Sequence, residues 1–158
     1  MNQPPSSSTA GDPNARDTAG PDAAAPSPAL DRATIEVAAE LSSGRQARRF
    51  VEAALVRWNC TALTDVTTLL VSELVANAVM HARSAATVVV LLLPTVVRIE
   101  VSDEDPVIPT RWFADAETPS GRGLALVEQL SSSWGITATP TGKCVWFEVD
   151  QAVSGRTD

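Results

Sequence analysis

The chain has few of the residues that hold metals or build cross-links. In 158 residues there is one histidine, His81, and there are two cysteines, Cys60 and Cys144. The cysteines lie far apart and make no Cys-x-x-Cys pair, so neither a zinc site nor a redox pair is expected. Two free thiols fit a reducing compartment, and a cytoplasmic location is the expectation. Basic residues are outnumbered, 12 against 19 acidic, for a net charge of −7. A non-specific nucleic-acid binder presents a basic face, so nucleic acid is not an expected partner. Long apolar runs are missing too. The longest, Val88 to Leu93, is strand-sized and short of the roughly 18 residues of a membrane span, so no membrane is expected.

Large apolar residues are absent from the first stretch altogether. Apart from Met1, residues 1–29 hold no aromatic and no aliphatic larger than alanine. Such a segment cannot bury enough surface to offset its ordering entropy, and residues 1–30 are expected to be a disordered Pro/Ala/Ser-rich tail. It has no basic start followed by an apolar core, so it does not read as a secretory signal. Residues 31–150 remain as one domain, large enough for a single core, followed by a loose tail at 151–158.

Within that domain, Ala33 to Leu41 alternates partially and reads as an edge strand. Ser42 or Ser43 can cap a helix whose apolar positions Ala47, Phe50, Val51, Ala54, Leu55 and Trp58 recur at three and four. Arg45, Arg48, Arg49 and Arg57 fall largely on its other side, as a solvated face or a partner face. Asn59 to Thr61 breaks that helix, and Thr64 or Asp65 caps a second one running to about Ala82. Ala86 to Leu93 reads as a buried strand, and Val96 to Ser102 alternates, the two forming an antiparallel hairpin around Pro94-Thr95. Residues 103–123, with three prolines, two glycines and five acidic residues, form a long connection in which Trp112 and Phe113 can make a local turn. A short helix from Gly123 and two strands, Trp134 to Thr139 and Cys144 to Val149, close the domain. The order predicts an α+β two-layer sandwich, a mixed and mainly antiparallel sheet with helices on one face.

Three features carry chemistry. On the second helix, Glu73, Asn77 and His81 are spaced four apart in an otherwise apolar run, so they form one polar stripe drifting by about 40° per step. That stripe is either a solvent face or a ligand-facing one. Asp103 ends the alternating strand, as a turn-initiating residue or as an acceptor for a ligand amine. Ser120-Gly121-Arg122-Gly123-Leu124 precedes a helix, as a flexible loop end or as an anion site made by backbone N–H groups and the helix N-terminus. A P-loop is absent: Gly142-Lys143-Cys144 lacks the upstream glycine and the hydroxyl.

Taken together, Glu-x-x-x-Asn-Ala-x-x-His on a helix, an aspartate at a strand end and Gly-x-Gly-Leu opening a helix resemble the GHKL ATPases, whose Bergerat fold is the sandwich described above. Val-Ser-Glu-Leu-Val-Ala-Asn-Ala, Gly-Arg-Gly-Leu-x-Leu-Val-Glu and Gly-Lys-x-Val-Trp-Phe are most similar to the small anti-sigma-factor serine/threonine kinases common in actinobacteria. The resemblance implies ATP and Mg²⁺ as cofactors. Asn77 would be the Mg²⁺ ligand, Glu73 the general base, and Asp103 the acceptor of the adenine amine. Gly121 and Gly123 would cradle the phosphates, Arg122 would add charge there and Leu124 would belong to the same cofactor-binding run, with His81 near the phosphates or tying down the helix end. It further implies an anti-anti-sigma protein of the STAS type as substrate, a sigma factor as partner, and leaves a homodimer open. The alternative is a non-catalytic nucleotide-binding or interaction module of the same fold. One departure favours it: where the family carries Asp-x-Gly-x-Gly, this chain reads Asp103-Glu104-Asp105-Pro106-Val107. A sensor histidine kinase is not expected, since His81 is the chain's sole histidine and belongs to the stripe.

Overall fold

Ordered by hydrogen bonding, the strands run β1 (Asp31–Val37), β2 (Ala86–Leu92), β3 (Val96–Asp103), β5 (Lys143–Asp150), β4 (Ser133–Ala138). The mainly antiparallel sheet expected is found, and among the described residues every neighbouring pair is antiparallel, with no parallel pair to make it mixed. This computed structural model describes residues 28–107 and 119–152. The expectations for the N-terminal tail, for the last residues and for a turn at Trp112 and Phe113 lie outside them.

One face of the sheet is the core face. Val37, Val88, Val90, Val97, Ile99, Val101, Val145 and Phe147 are all buried there, beneath the helices α1 (Ser43–Arg57), α2 (Thr64–Asn77) and α3 (Pro119–Leu130). The strict alternation of β3 and β5 follows from this one-sided burial. The other face is covered by its own side chains. Arg98 bonds Glu100 at 2.8 Å and Glu148 at 3.1 Å and lies 3.9 Å over the Trp146 ring. The far side of that indole rests on Gly135, where a Cβ would come within 2.7 Å of the ring.

Helix boundaries show local chemistry. Asn59, at φ 58°, ends α1 in the left-handed conformation that asparagine tolerates. A 3₁₀ turn, Thr61–Leu63, leads into α2. Inside α2, Thr67, Thr68 and Ser72 donate to the carbonyls of Leu63, Thr64 and Thr68, four residues back, which lets hydroxyls sit in an apolar helix without unmet donors. Helical structure runs from Thr61 to Ala82, 22 residues, and by length and composition alone it could cross a membrane. Here its apolar side, Leu70, Val71, Leu74 and Val75, is the centre of the core.

α2 does not continue as an α-helix to Ala82. Beyond Asn77 the chain winds as a π-helix, Ala78–Ala82, and stops at Arg83 with φ 51°. Such wide turns are rare and occur often at functional sites. The edge strand β1 ends at Val37 rather than Leu41, because Ala38 already accepts a hydrogen bond from the Ser43 hydroxyl that precedes the body of α1. Cys60 and Cys144 are both free, and burial pushes both thiols above their ordinary range, so neither is an activated nucleophile.

Candidate functional site

Glu73 and Asn77 are one helical turn apart on α2 and both half-buried. Among the described residues neither side chain has a hydrogen-bond partner. What faces them is Gly123. A Cβ built on Gly123 would lie 3.2 Å from Asn77 Nδ2 and 3.3 Å from both Cβ and Oε2 of Glu73. The glycine therefore lets α3 approach the two polar groups more closely than any other residue would.

α3 begins at Pro119, four residues before the helix start expected at Gly123. Proline suits a first helical position, where its missing N–H costs nothing. The Gly-Arg-Gly run is consequently the first turn of a helix and not a loop in front of one. Free N–H groups at that end belong to Ser120 and Gly121. Gly121 and Arg122 are placed by their backbone alone. Leu124 is 0% exposed and part of the core, so its side chain packs the domain and is not available to a ligand. His81 is exposed on the π-helical turn, close enough to Asp105 to interact with its carboxylate electrostatically.

Asp103 ends β3 on the core face, directly opposite Lys143 of β5. The two are 8% and 5% exposed, and Lys143 Nζ donates to Asp103 Oδ1 at 3.0 Å. The same oxygen accepts the Asp105 N–H at 2.9 Å, an Asx turn that starts the following segment. The Glu104 N–H reaches Ser84 Oγ at 3.3 Å, which ties this strand end to the exit of the π-helical turn. Lys143 is the residue that sequence reasoning missed. It stands in the final Gly-Lys-x-Val-Trp-Phe run, but its partner is visible only once the register of β3 on β5 is known.

A recess at the same end of the sheet is lined by Glu36, Thr87, Ser102, Asp103, Glu104 and Thr141. With three carboxylates it repels a polyanion. The helix N-terminus beside Asn77 attracts one. Among the described residues no group of three or more His, Cys, Asp and Glu side chains could hold a metal. Asn77 offers one free amide oxygen, which suits a Mg²⁺ ion that takes one or two protein oxygens and completes its shell with phosphate and water. The residues fit a metal that arrives with a nucleotide and do not fit a resident one.

The N–H of Val107 bonds Asp105 Oδ1 at 3.0 Å and holds the Asp105 carboxyl below its ordinary value, with further lowering from Lys143 and His81. A carboxylate lowered in the folded state adds stability above its unfolded pKa, which is lost as pH falls through the folded value. Carbon-detected NMR titration should therefore place the Asp105 midpoint below that of an ordinary aspartate. Replacing Lys143 with methionine should move that midpoint up.

Residues 37–149 match the family described as the histidine kinase-like ATPase domain. No curated protein matches the chain. Among solved structures, the histidine kinase domain from the Erythrobacter litoralis EL346 blue-light activated histidine kinase is similar at 25% identity, with a TM-score of 0.42 over 58% of this chain. The chain spans 46% of that one.

Proposed function

The chain belongs to the family of histidine kinase-like ATPase domains, and from that premise we propose that it is a Mg²⁺-dependent protein serine/threonine kinase acting on a regulatory partner protein. ATP binding follows from the family; the transfer to a protein hydroxyl is our reading. The observation that carries it is the contact of Gly123 with Glu73 and Asn77. It sets a carboxylate and a free amide oxygen at the amino-terminal turn of α3, where a triphosphate is attracted.

In this reading the γ-phosphoryl group lies beside the first turn of α3, whose N–H groups hold its oxygens. Asn77 would hold, through its amide oxygen, the cation that the phosphates carry. Mg²⁺, when bound, neutralises the phosphate charge that develops during transfer. Glu73 takes the proton from the incoming serine or threonine hydroxyl as its oxygen bonds to the γ-phosphorus, and ADP leaves. Asp103 accepts a hydrogen bond from the adenine amine. The resemblance read from the sequence supplies the partners: an anti-anti-sigma protein of the STAS type as substrate and a sigma factor as ligand, in the cytoplasm, with dimerisation as a further expectation. The exposed Arg45, Arg48 and Arg49 on α1 offer a basic face for an acidic partner.

A second reading, binding without catalysis, is favoured by the segment after Asp103. Asp105 and Val107 stand where the family carries glycines, and they are fixed by hydrogen bonds of their own. Calorimetry separates the outcomes. Wild type should bind ATP more tightly with Mg²⁺ than without. Asn77→Ala should lose about tenfold or more in Mg²⁺–ATP affinity and should no longer respond to Mg²⁺. Absence of Mg²⁺-dependent ATP binding at millimolar nucleotide would sink the kinase reading. Binding without phosphate transfer to any STAS-type partner would leave the second.

A further inference from the structure

Lys143 is a buried cation held by two residues of one segment. Its ammonium contacts Asp103 Oδ1 at 3.0 Å, the Asp105 carbonyl oxygen at 3.3 Å and Asp105 Oδ2 at 3.6 Å. Of its three donors, two make hydrogen bonds, to Asp103 Oδ1 and to the Asp105 carbonyl oxygen, and the Asp105 carboxylate stands at ion-pair distance. On the other side of the pair, Asp103 Oδ1 is doubly occupied, by Lys143 and by the Asp105 N–H. Among the described residues Asp103 Oδ2 accepts no hydrogen bond. Gly142 completes the arrangement by pressing the turn before β5 onto the Asp103 backbone, since a Cβ there would lie 2.0 Å from the Asp103 carbonyl oxygen.

We propose that Lys143 is the positioning residue of nucleobase selection: it locks Asp103 so that one carboxylate oxygen is presented as a pure acceptor, which selects a base carrying an exocyclic amine over one carrying a carbonyl oxygen. This rests on the reading of Asp103 as the base contact. A carboxylate attracts an N–H and repels a carbonyl oxygen placed at the same point. A lysine free to turn toward the base would donate to that carbonyl and erase the distinction. Its two hydrogen bonds and the nearby Asp105 carboxylate draw the ammonium to Asp103 and Asp105 and keep it out of the readout. The same contacts fix the chain from Asp103 to Asp105, where the family's flexible glycine is replaced. Without the lysine, Asp103 loses the partner that fixes its side chain, and its second oxygen is no longer held as the acceptor presented to the base.

Competition binding on the full chain with ATP, inosine triphosphate and tripolyphosphate tests this, since inosine carries a carbonyl where adenine carries the amine. Lys143→Met should lower the ATP-to-inosine preference about tenfold and leave tripolyphosphate affinity unchanged. Asp105→Ala, a change at a partly exposed residue that spares the buried pair, removes the carboxylate that draws the ammonium away from the base. It should lower the preference by a smaller factor through gained inosine affinity, and it decides the matter if Lys143→Met does not fold. Equal losses for all three ligands, or an unchanged preference in the variants, would overturn the proposal while wild-type ATP binding leaves the kinase reading standing. Failure of wild type to bind ATP would overturn both.

Discussion

Gly142→Ala is expected to lower folding stability by about 3 kcal/mol and the melting temperature by about 10 °C, the upper range for forcing atoms into a packed site. The reason is space rather than torsion. No glycine among the described residues has a positive φ, so alanine could adopt the Gly142 backbone conformation without strain. Its methyl group could not be placed, however. It would lie 2.0 Å from the Asp103 carbonyl oxygen, 2.7 Å from the Glu104 Cα and 2.8 Å from the Asp103 carbonyl carbon. All three are backbone atoms of a strand end, which cannot swing aside as a side chain can. The neighbouring ion pair would move with them, so nucleotide affinity should fall as well. Gly44→Ala is the matching control. Nothing lies within 4 Å of its added methyl group, and it sits in α1, where alanine in place of glycine adds roughly 0.5–1 kcal/mol. Thermal melts of the two variants should therefore move in opposite directions. A Gly142→Ala melt within 2 °C of wild type would refute the account of the tight turn, since about 3 kcal/mol should move it several times further.

Glu73→Gln should reduce phosphoryl transfer by about 100-fold to 10,000-fold, the usual worth of a positioned general base, and leave ATP affinity unchanged. The substitution keeps shape and hydrogen-bonding reach and removes only the capacity to accept a proton. Half-buried and without a hydrogen-bond partner among the described residues, Glu73 holds nothing else together, so the fold should not notice. Single-turnover transfer with saturating Mg²⁺–ATP isolates the chemical step. Loss of binding in parallel with transfer would instead mean that Glu73 orders the phosphates. Gly123→Ala gives an independent view of the same contact. Its methyl group, 3.2–3.3 Å from Asn77 and Glu73, requires only a shift of a few tenths of an ångström, so it should weaken nucleotide binding with little effect on folding.

How much of this was legible beforehand depends on whether a feature is local or arises between strands. The stripe on α2 could be read because four-residue spacing places Glu73 and Asn77 on one line wherever the helix goes. The hairpin of β2 and β3 was legible from alternation and a two-residue turn. Helix ends were harder. The π-helical turn after Asn77 has no composition of its own, and α3 starts at Pro119 because a helix can begin on proline, a signal available in the sequence and read instead as part of a loop. Leu124 shows the limit of carrying a motif over residue by residue: its position in Gly-x-Gly-Leu suggests a ligand contact, yet its side chain is fully enclosed in the core. Lys143 was out of reach for a different reason. Its meaning lies in being opposite Asp103, 40 residues earlier, and only the pairing of β3 with β5 brings them together.

That pairing also has a consequence during synthesis. β5 is the last strand to emerge and occupies an interior place in the sheet, between β3 and β4. Until it arrives, β3 offers an open edge backed by Val97, Ile99 and Val101, and β4 has no neighbour to join. An exposed apolar edge of this kind invites pairing with other chains. The ribosome must therefore release nearly the whole domain before the sheet can close. The strand that closes it brings Lys143 to Asp103 in the same step, so a nascent chain acquires its aggregation resistance and its buried ion pair at one moment.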